Sequence, residues 1–258
     1  MKEAWDPLQA RDLAIGHAGN VLADRINLSL PAGELTALLG VNGVGKSTLL
    51  RTLAGLLPPM GGQVLIGGSP VQALSAHERA RRMAVVLTGR PAGMLDVETV
   101  VALGRQPWTN RWGRITPADR AAVDRAFDLA AAQDLRHRTL ATCSDGECQK
   151  VLIARALAQD TPVMLLDEPT AFLDLPNRAA VVRMLRGIAH GQRKAVLFST
   201  HDLQLALDFG DRMMLLRAGG ALWQGTPQEA MASGVLAQAF NGSGVVFDAA
   251  TGTHRFTG

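Results

Sequence analysis

One stretch constrains this chain more than any other: ELTALLGVNGVGKSTLLRTLAGLL, residues 34–57. Three kinds of local sequence follow one another in it without a gap. Glu34–Gly40 is a short apolar run that reads as a buried strand. The periodic leucines further on read as a helix. Between them, Gly40, Gly45, Lys46 and Ser47 satisfy G-x-x-x-x-G-K-[ST]. Glycines there let the backbone N–H groups of residues Val41, Asn42, Gly43, Val44 and Thr48 curl around an anion. The helix N-terminus adds partial positive charge at the same place. Lys46 would reach the β- and γ-phosphates of a nucleotide, and Ser47 would ligate Mg²⁺. Nucleotide binding follows; the loop alone does not choose among kinases, GTPases and motor ATPases.

Two further strands end in chemistry. PVMLLDEPT runs apolar from Val163 to Leu166 and then delivers Asp167 and Glu168. In open parallel sheets ligands sit beyond the carboxyl ends of the strands, where two adjacent carboxylates can divide the work. Asp167 would hold the hydration shell of Mg²⁺, and Glu168 would polarise an attacking water. The bland alternative is a solvated strand end. AVLFSTHD ends in the same manner and presents His201 at the level expected for a γ-phosphate. A lone histidine is otherwise a surface or core residue. Lys46, Glu168 and His201 are the candidates for catalysis.

The 258 residues, 47% hydrophobic, suffice for one large α/β domain with an inserted lobe. The apolar runs are too short to cross a bilayer. MKEAWDPLQARDL has no apolar core of the signal-peptide kind, so the expected compartment is the cytoplasm, where thiols stay reduced. Net charge is +3, and only four of the 26 basic residues are lysines. The arginine excess could mark phosphate or nucleic-acid binding, but a codon bias is the plainer reading; without a long basic run, charge decides nothing.

Between the loop and the acidic strand stands LATCSDGECQKVLIARALAQD, a polar, Gly-containing turn leading into an apolar helix at Lys150–Gln159. The order of phosphate loop, S-D-G-E-x-Q, L-L-D-E-P and S-T-H-D resembles the ATPase subunits of ABC transporters over essentially the whole chain. TCSDGECQK stands at that family's signature motif, commonly L-S-G-G-Q or, in a metal-chelate branch, L-S-D-G-E. The resemblance implies a P-loop NTPase (RecA-like) α/β core with an antiparallel β-lobe and an inserted helical lobe. On that plan residues 1–90 hold the β-lobe and P-loop core, 91–155 the helical lobe with the signature, and 156–258 the rest of the core.

The same resemblance implies ATP and Mg²⁺ as ligands and a second copy of the chain as partner. Ser144, Asp145, Gly146 and Glu147 would close over a γ-phosphate held by the P-loop of the other subunit. Ser144 can donate a hydrogen bond, Gly146 permits close backbone approach, and the following helix points its N-terminus at the anion. AFLD matches the family's D-loop, so Asp174 would lie near the partner's P-loop. In LAIGHAGNVLADRINLSLPAGE, His17 falls where an aromatic residue stacks on adenine; a solvated hairpin residue is the alternative.

Three positions depart from the family pattern. Thr88 sits where a glutamine is usual; it keeps a hydroxyl for Mg²⁺ or water but loses reach. Cys143 occupies a leucine position and Cys148 one that is often arginine. Residues five apart on a helix lie roughly 8 Å apart and point about 140° apart, beyond the roughly 7 Å of a disulfide. A metal site would need more ligands than nearby His137 supplies. The plain expectation is Cys143 as a small packing residue and Cys148 as an exposed thiol; an introduced pair is a further reading.

VVALGRQPWTNRWGRITPADRAAVDRAFDLA reads as a helix broken at Pro107 and resumed after Pro117. Its L-G-R-x-P and G-R-x-T-x-x-D stretches resemble the helical lobe of importers for iron–siderophores, haem or cobalamin, which grips the membrane partner. Trp108, Trp112 and nearby arginines also read as a nucleic-acid stacking surface. The resemblance implies an ATPase at the cytoplasmic face of the membrane, beneath a separate transmembrane permease dimer. An extracytoplasmic binding protein would feed that permease, with no nucleic acid involved. The competing readings are a non-transport ABC protein acting on DNA or ribosomes, and a weakly catalytic nucleotide-binding module.

Overall fold

Two long strands, β1 (Leu8–His17) and β2 (Asn20–Leu30), form an antiparallel pair near the start of the chain. The computed structural model describes residues 6–17, 19–89, 94–110, 112–217, 219–240, 245–248 and 253–256. The next strand, β3 (Leu35–Leu39), is buried at all five positions and runs into the Gly-rich loop and α1 (Lys46–Leu53). The chain then returns to the first pair with β4 (Gly61–Ile66) and the short β5 (Ser69–Pro70). The result is a four-stranded antiparallel sheet in the order β2-β1-β4-β5.

α2 (Ala76–Arg82) leads to β6 (Met83–Val86). α3 (Val97–Ala102), a 3-10 segment Leu103–Trp108, α4 (Pro117–Leu129) and α5 (Asp145–Ala158) then make the helical lobe. The expected break at Pro107 falls inside the 3-10 segment, five residues after the α-helix has ended. Core elements resume with β7 (Val163–Leu166), α6 (Leu175–Gln192), β8 (Ala195–Ser199) and α7 (Leu203–Phe209). β9 (Arg212–Leu216) and β10 (Leu222–Gly225) pair antiparallel. Two short helices, α8 (Pro227–Ala232) and α9 (Val235–Phe240), and the hairpin β11 (Val245–Asp248) and β12 (Thr253–Phe256) follow.

The second sheet has the order β10-β9-β3-β8-β7-β6, with every pair from β9 to β6 parallel. Strand side chains alternate between faces, and the two cores divide accordingly. Leu35, Ala37 and Leu39 join Met164, Leu166, Val196 and Phe198 against the helical side. Leu38, Val163, Leu165 and Leu197 face α1 and the antiparallel sheet. A sheet covered on both faces explains why its strands read as unbroken apolar runs. The consequence for function is positional: β3, β8 and β7 are neighbours, so their carboxyl ends open at one edge. No helix among the described residues is long and apolar enough to cross a membrane.

Candidate nucleotide-binding site

At that edge β3 gives way to the Gly-rich loop. Gly43 and Gly45 hold φ of 82° and 110°, a left-handed backbone that a Cβ would strain. The Val44 N–H donates to the Val41 carbonyl at 3.3 Å, closing the turn before α1 begins at Lys46. Lys46 Nζ folds back and donates to the Gly40 carbonyl at 2.8 Å, and it lies 3.7 Å from Glu168 Oε1. Its ammonium also donates to the Val41 carbonyl at 3.4 Å, so it is held against the loop's own backbone beside Glu168.

The two carboxylates are positioned by different partners. Asp167 is buried, and its Oδ1 accepts hydrogen bonds from Ser47 Oγ at 3.1 Å and Ser199 Oγ at 2.8 Å. Thr88 Oγ1 donates to the Asp167 carbonyl at 2.9 Å. The Glu168 N–H donates back to Ser199 Oγ at 2.8 Å, and Glu168 sits at φ 48°, a conformation disfavoured for a residue with a Cβ. Its Oε2 stands 3.0 Å from His201 Nδ1. Glu168 therefore bridges Lys46 and His201, the three side chains singled out as candidates for catalysis.

These groups border one cleft of about 540 Å³, within the range that admits a small-molecule ligand. Asn42, Gly43, Gly45, Lys46, Ser47 and Thr48 line it from the loop, and Thr88, Asp167, Glu168 and His201 from the other strand ends. Ser47 Oγ and the Asp167 carboxylate are hard oxygen donors side by side, a set that suits Mg²⁺. Leu22 and Arg51 also line the cleft and were not anticipated. Arg51 lies one helical turn beyond Ser47, a spacing that places both on one face. Ser199 was missed as well, although it stands two residues before His201. His17 ends β1, exposed, and is not among the residues that line the cleft; Leu22 of the neighbouring strand is.

The turn that opens α5 stands apart. The helix begins at Asp145, five residues before the expected Lys150. Ser144 is its N-cap: its Oγ accepts from the Glu147 N–H at 3.3 Å, and Glu147 Oε2 accepts from the Ser144 N–H at 2.7 Å. Arg138 Nη1 holds the other Glu147 oxygen at 2.8 Å. The Ser144 N–H, then Arg138, keep the Glu147 carboxyl below its ordinary range. Ser144 is exposed and borders neither the large cleft nor the smaller cavity beside it. Asp174 caps α6, accepting from the Asn177 N–H at 3.0 Å, and its neighbours Phe172 and Leu175 are exposed at 80% and 71%.

The cysteines correct one expectation. Cys143 packs in the core as anticipated, but Cys148 is only 3% exposed and is no surface thiol. Starting α5 at Asp145 puts Cys148 on the face shared by Val151 and Leu152, three and four residues on. Cys148 Sγ donates to the Leu140 carbonyl at 3.7 Å and Cys143 Sγ to that of Thr139 at 3.7 Å.

In the helical lobe, the two stretches read as importer-like prove to be one structural unit. Arg105 Nε meets Asp119 Oδ1 at 2.9 Å, both side chains buried, and Asp119 closes a capping box with Thr116. Trp108 is occupied: its indole N–H donates to the Gln159 carbonyl at 2.7 Å. Arg81 and Arg105 stack on its ring at 5.0 and 5.3 Å from the centroid. It is no open platform for a base.

A family model described as ABC transporter matches residues 23–171, from the β-lobe to the turn beyond Glu168. The chain belongs to the ABC transporter family. The ATP-binding subunits of ABC transporters are ATPases, and a domain of this family binds ATP. Achromobactin transport ATP-binding protein CbrD of Dickeya dadantii is 36% identical, covering 91% of this chain and 87% of its own. Hemin import ATP-binding protein HmuV of Nocardia farcinica is 39% identical, over 90% of this chain and 82% of its own. Among solved structures, an ABC transporter of metal-chelate type in an inward-facing conformation superposes with a TM-score of 0.79. It is 27% identical and covers 92% of this chain and 89% of its own. The antiparallel lobe, parallel core and helical lobe expected of an ABC ATPase are all present.

Proposed function

We propose that this chain is the ATP-hydrolysing subunit of an importer for a metal chelate: an iron–siderophore, haem or cobalamin. It works at the cytoplasmic face of the membrane as a head-to-tail pair with a second copy, beneath a separate transmembrane permease dimer. An extracytoplasmic binding protein delivers the chelate. The observation that carries the reading is the convergence of Lys46, Asp167, Glu168 and His201 at the carboxyl ends of three adjacent strands. Relatives named for achromobactin and hemin import support the cargo class.

In this reading the backbone N–H groups from Val41 to Thr48 cradle the phosphates, and Lys46 moves from the Gly40 carbonyl onto the β- and γ-oxygens. That move frees Glu168 Oε1, now 3.7 Å from Lys46 Nζ, to take a proton from the attacking water. His201 donates to the γ-phosphate and keeps Glu168 oriented. Ser47 and Asp167 would hold Mg²⁺, which supplies charge neutralisation to the phosphates when bound; Thr88 lies close enough to support its water shell. His17 would meet adenine only at the rim.

The second copy contributes Ser144, Asp145, Gly146 and Glu147 over the γ-phosphate, with Asp174 at its neighbour's loop. Gly146 supports this. A glycine inside a helix is about 0.5–1 kcal/mol worse than alanine. Yet among the described residues a Cβ there would meet only Leu173 and Asn177, at ordinary distances of 3.6 and 3.9 Å. None of them requires glycine, whereas a closely approaching nucleotide would.

The test is Glu168→Gln. ATP binding should persist while hydrolysis falls by about 10²–10⁴, the range for losing a general base. In vesicles holding the permease, uptake of iron–siderophore, haem or cobalamin should fall with it. Near-normal turnover would remove Glu168 from the mechanism; hydrolysis-coupled uptake of none of the three would remove the cargo class.

A further inference from the structure

Thr88 and Glu168 also line a second, smaller cavity of about 40 Å³, together with Asp145, Gln149 and Leu152. Gln149 stands in the second turn of α5, and its Nε2 is buried with no hydrogen-bond partner among the described residues. Native folds leave few buried donors in that condition, and each calls for a reason. Among the residues that line the cavity with it, Thr88, Asp145 and Glu168 carry side-chain oxygens. Thr88 has already given its hydroxyl hydrogen to the Asp167 carbonyl at 2.9 Å, which leaves the lone pairs of its oxygen. Glu168 offers carboxylate oxygens. The cavity exceeds the roughly 10–15 Å³ that one water needs, and such waters make about three hydrogen bonds.

Thr88 is also the position at which a longer amide side chain is absent. Threonine ends one carbon beyond Cα with a hydroxyl, and that hydroxyl is held by the Asp167 carbonyl. Gln149 brings an amide to the same cavity, on a helix rather than a strand end.

We propose that Gln149 is a positioning residue of the ATPase site: its amide holds a water in this cavity that braces the Glu168 carboxylate. The water accepts from Nε2 and donates to Glu168 and to the Thr88 oxygen. The inference rests on Glu168 acting as the base, as set out above. Cys148 borders the same cavity, with its thiol directed at the carbonyls of Leu140 and Cys143.

The experiment measures steady-state ATP hydrolysis by the purified chain carrying Gln149→Leu, Gln149→Met, or Gln149→Leu with Thr88→Gln. Either single replacement should lower kcat about tenfold, the worth of one hydrogen bond acting in the transition state. KM for ATP should stay unchanged. The melting midpoint should hold or rise, because a buried donor without a protein partner has been removed. Thr88→Gln should restore most of the lost kcat, its longer amide reaching the same water. Parent-like kcat in both single variants would overturn the proposal. So would a loss of kcat that tracks a lowered midpoint, or that Thr88→Gln leaves unrepaired. Glu168→Gln run in parallel separates the two readings: normal turnover there would sink the assignment of the base, whatever Gln149 does.

Discussion

Thr116 and Ser144 begin their helices in the same way, and the two turns meet different fates. Each hydroxyl accepts from the N–H three residues on, and each acidic residue at that position returns the bond. Around Thr116 the turn is sealed: Asp119 is buried and gripped by Arg105, which also donates to the Ala158 carbonyl at 2.8 Å. Around Ser144 it is open, with the serine exposed and Glu147 tied back to Arg138 at the lobe's surface. A capping box is a local instruction to start a helix. What it does for the protein depends on what lies beyond its first turn. The sealed box joins the 3-10 segment to α4; the open one begins its helix at two exposed residues, Ser144 and Asp145.

Substitutions can break this contrast. The largest effect falls on the sealed side. Arg105→Met leaves Asp119 as a buried, uncompensated charge and should cost about 3–5 kcal/mol of stability by chemical denaturation. An unchanged unfolding midpoint would mean the pair is not what ties the two stretches together. On the open side, Ser144→Arg should lower hydrolysis about 10²–10³-fold, as losing a donor to developing charge does, with ATP binding retained. Thr116→Ala should reverse the pattern, costing about 1 kcal/mol of stability as a lost cap while hydrolysis stays near the parent rate. Equal effects of the two on turnover would erase the distinction.

The smallest effect is a pH dependence. The Thr116 hydroxyl and N–H, then Arg105, hold the Asp119 carboxyl below its ordinary value of 3.8. A depressed carboxylate stabilises the fold fully above that value and loses the contribution as pH falls from there through the folded value. Asp119→Asn should therefore flatten the fall of the melting midpoint below about pH 4. An unaltered acid limb would show that other carboxylates set it.

The same contrast measures how much was legible in advance. The phosphate loop and the strands ending at Asp167, Glu168 and His201 could be read because each is contiguous: an apolar run with its chemistry at the end. The start of α5 was misplaced by five residues because Ser144–Glu147 was weighed as a ligand motif and not as a capping box. That one shift of register also misassigned Cys148, whose burial follows once Asp145 begins the helix. Other features have no local signal. Ser199 ties the Asp167 carboxylate and the Glu168 backbone N–H together across 32 and 31 residues of sequence. The Arg81–Trp108–Arg105 stack joins α2 to the helical lobe, and no periodicity along either segment foretells it.

In the proposed cycle a second copy completes the open turn. Light scattering of the Glu168→Gln chain with ATP and Mg²⁺ tests this directly. That variant should become a dimer on adding ATP, and Ser144→Arg on top of it should return it to a monomer that still binds nucleotide. A chain that stays monomeric at saturating ATP, or a dimer indifferent to Ser144→Arg, would contradict it.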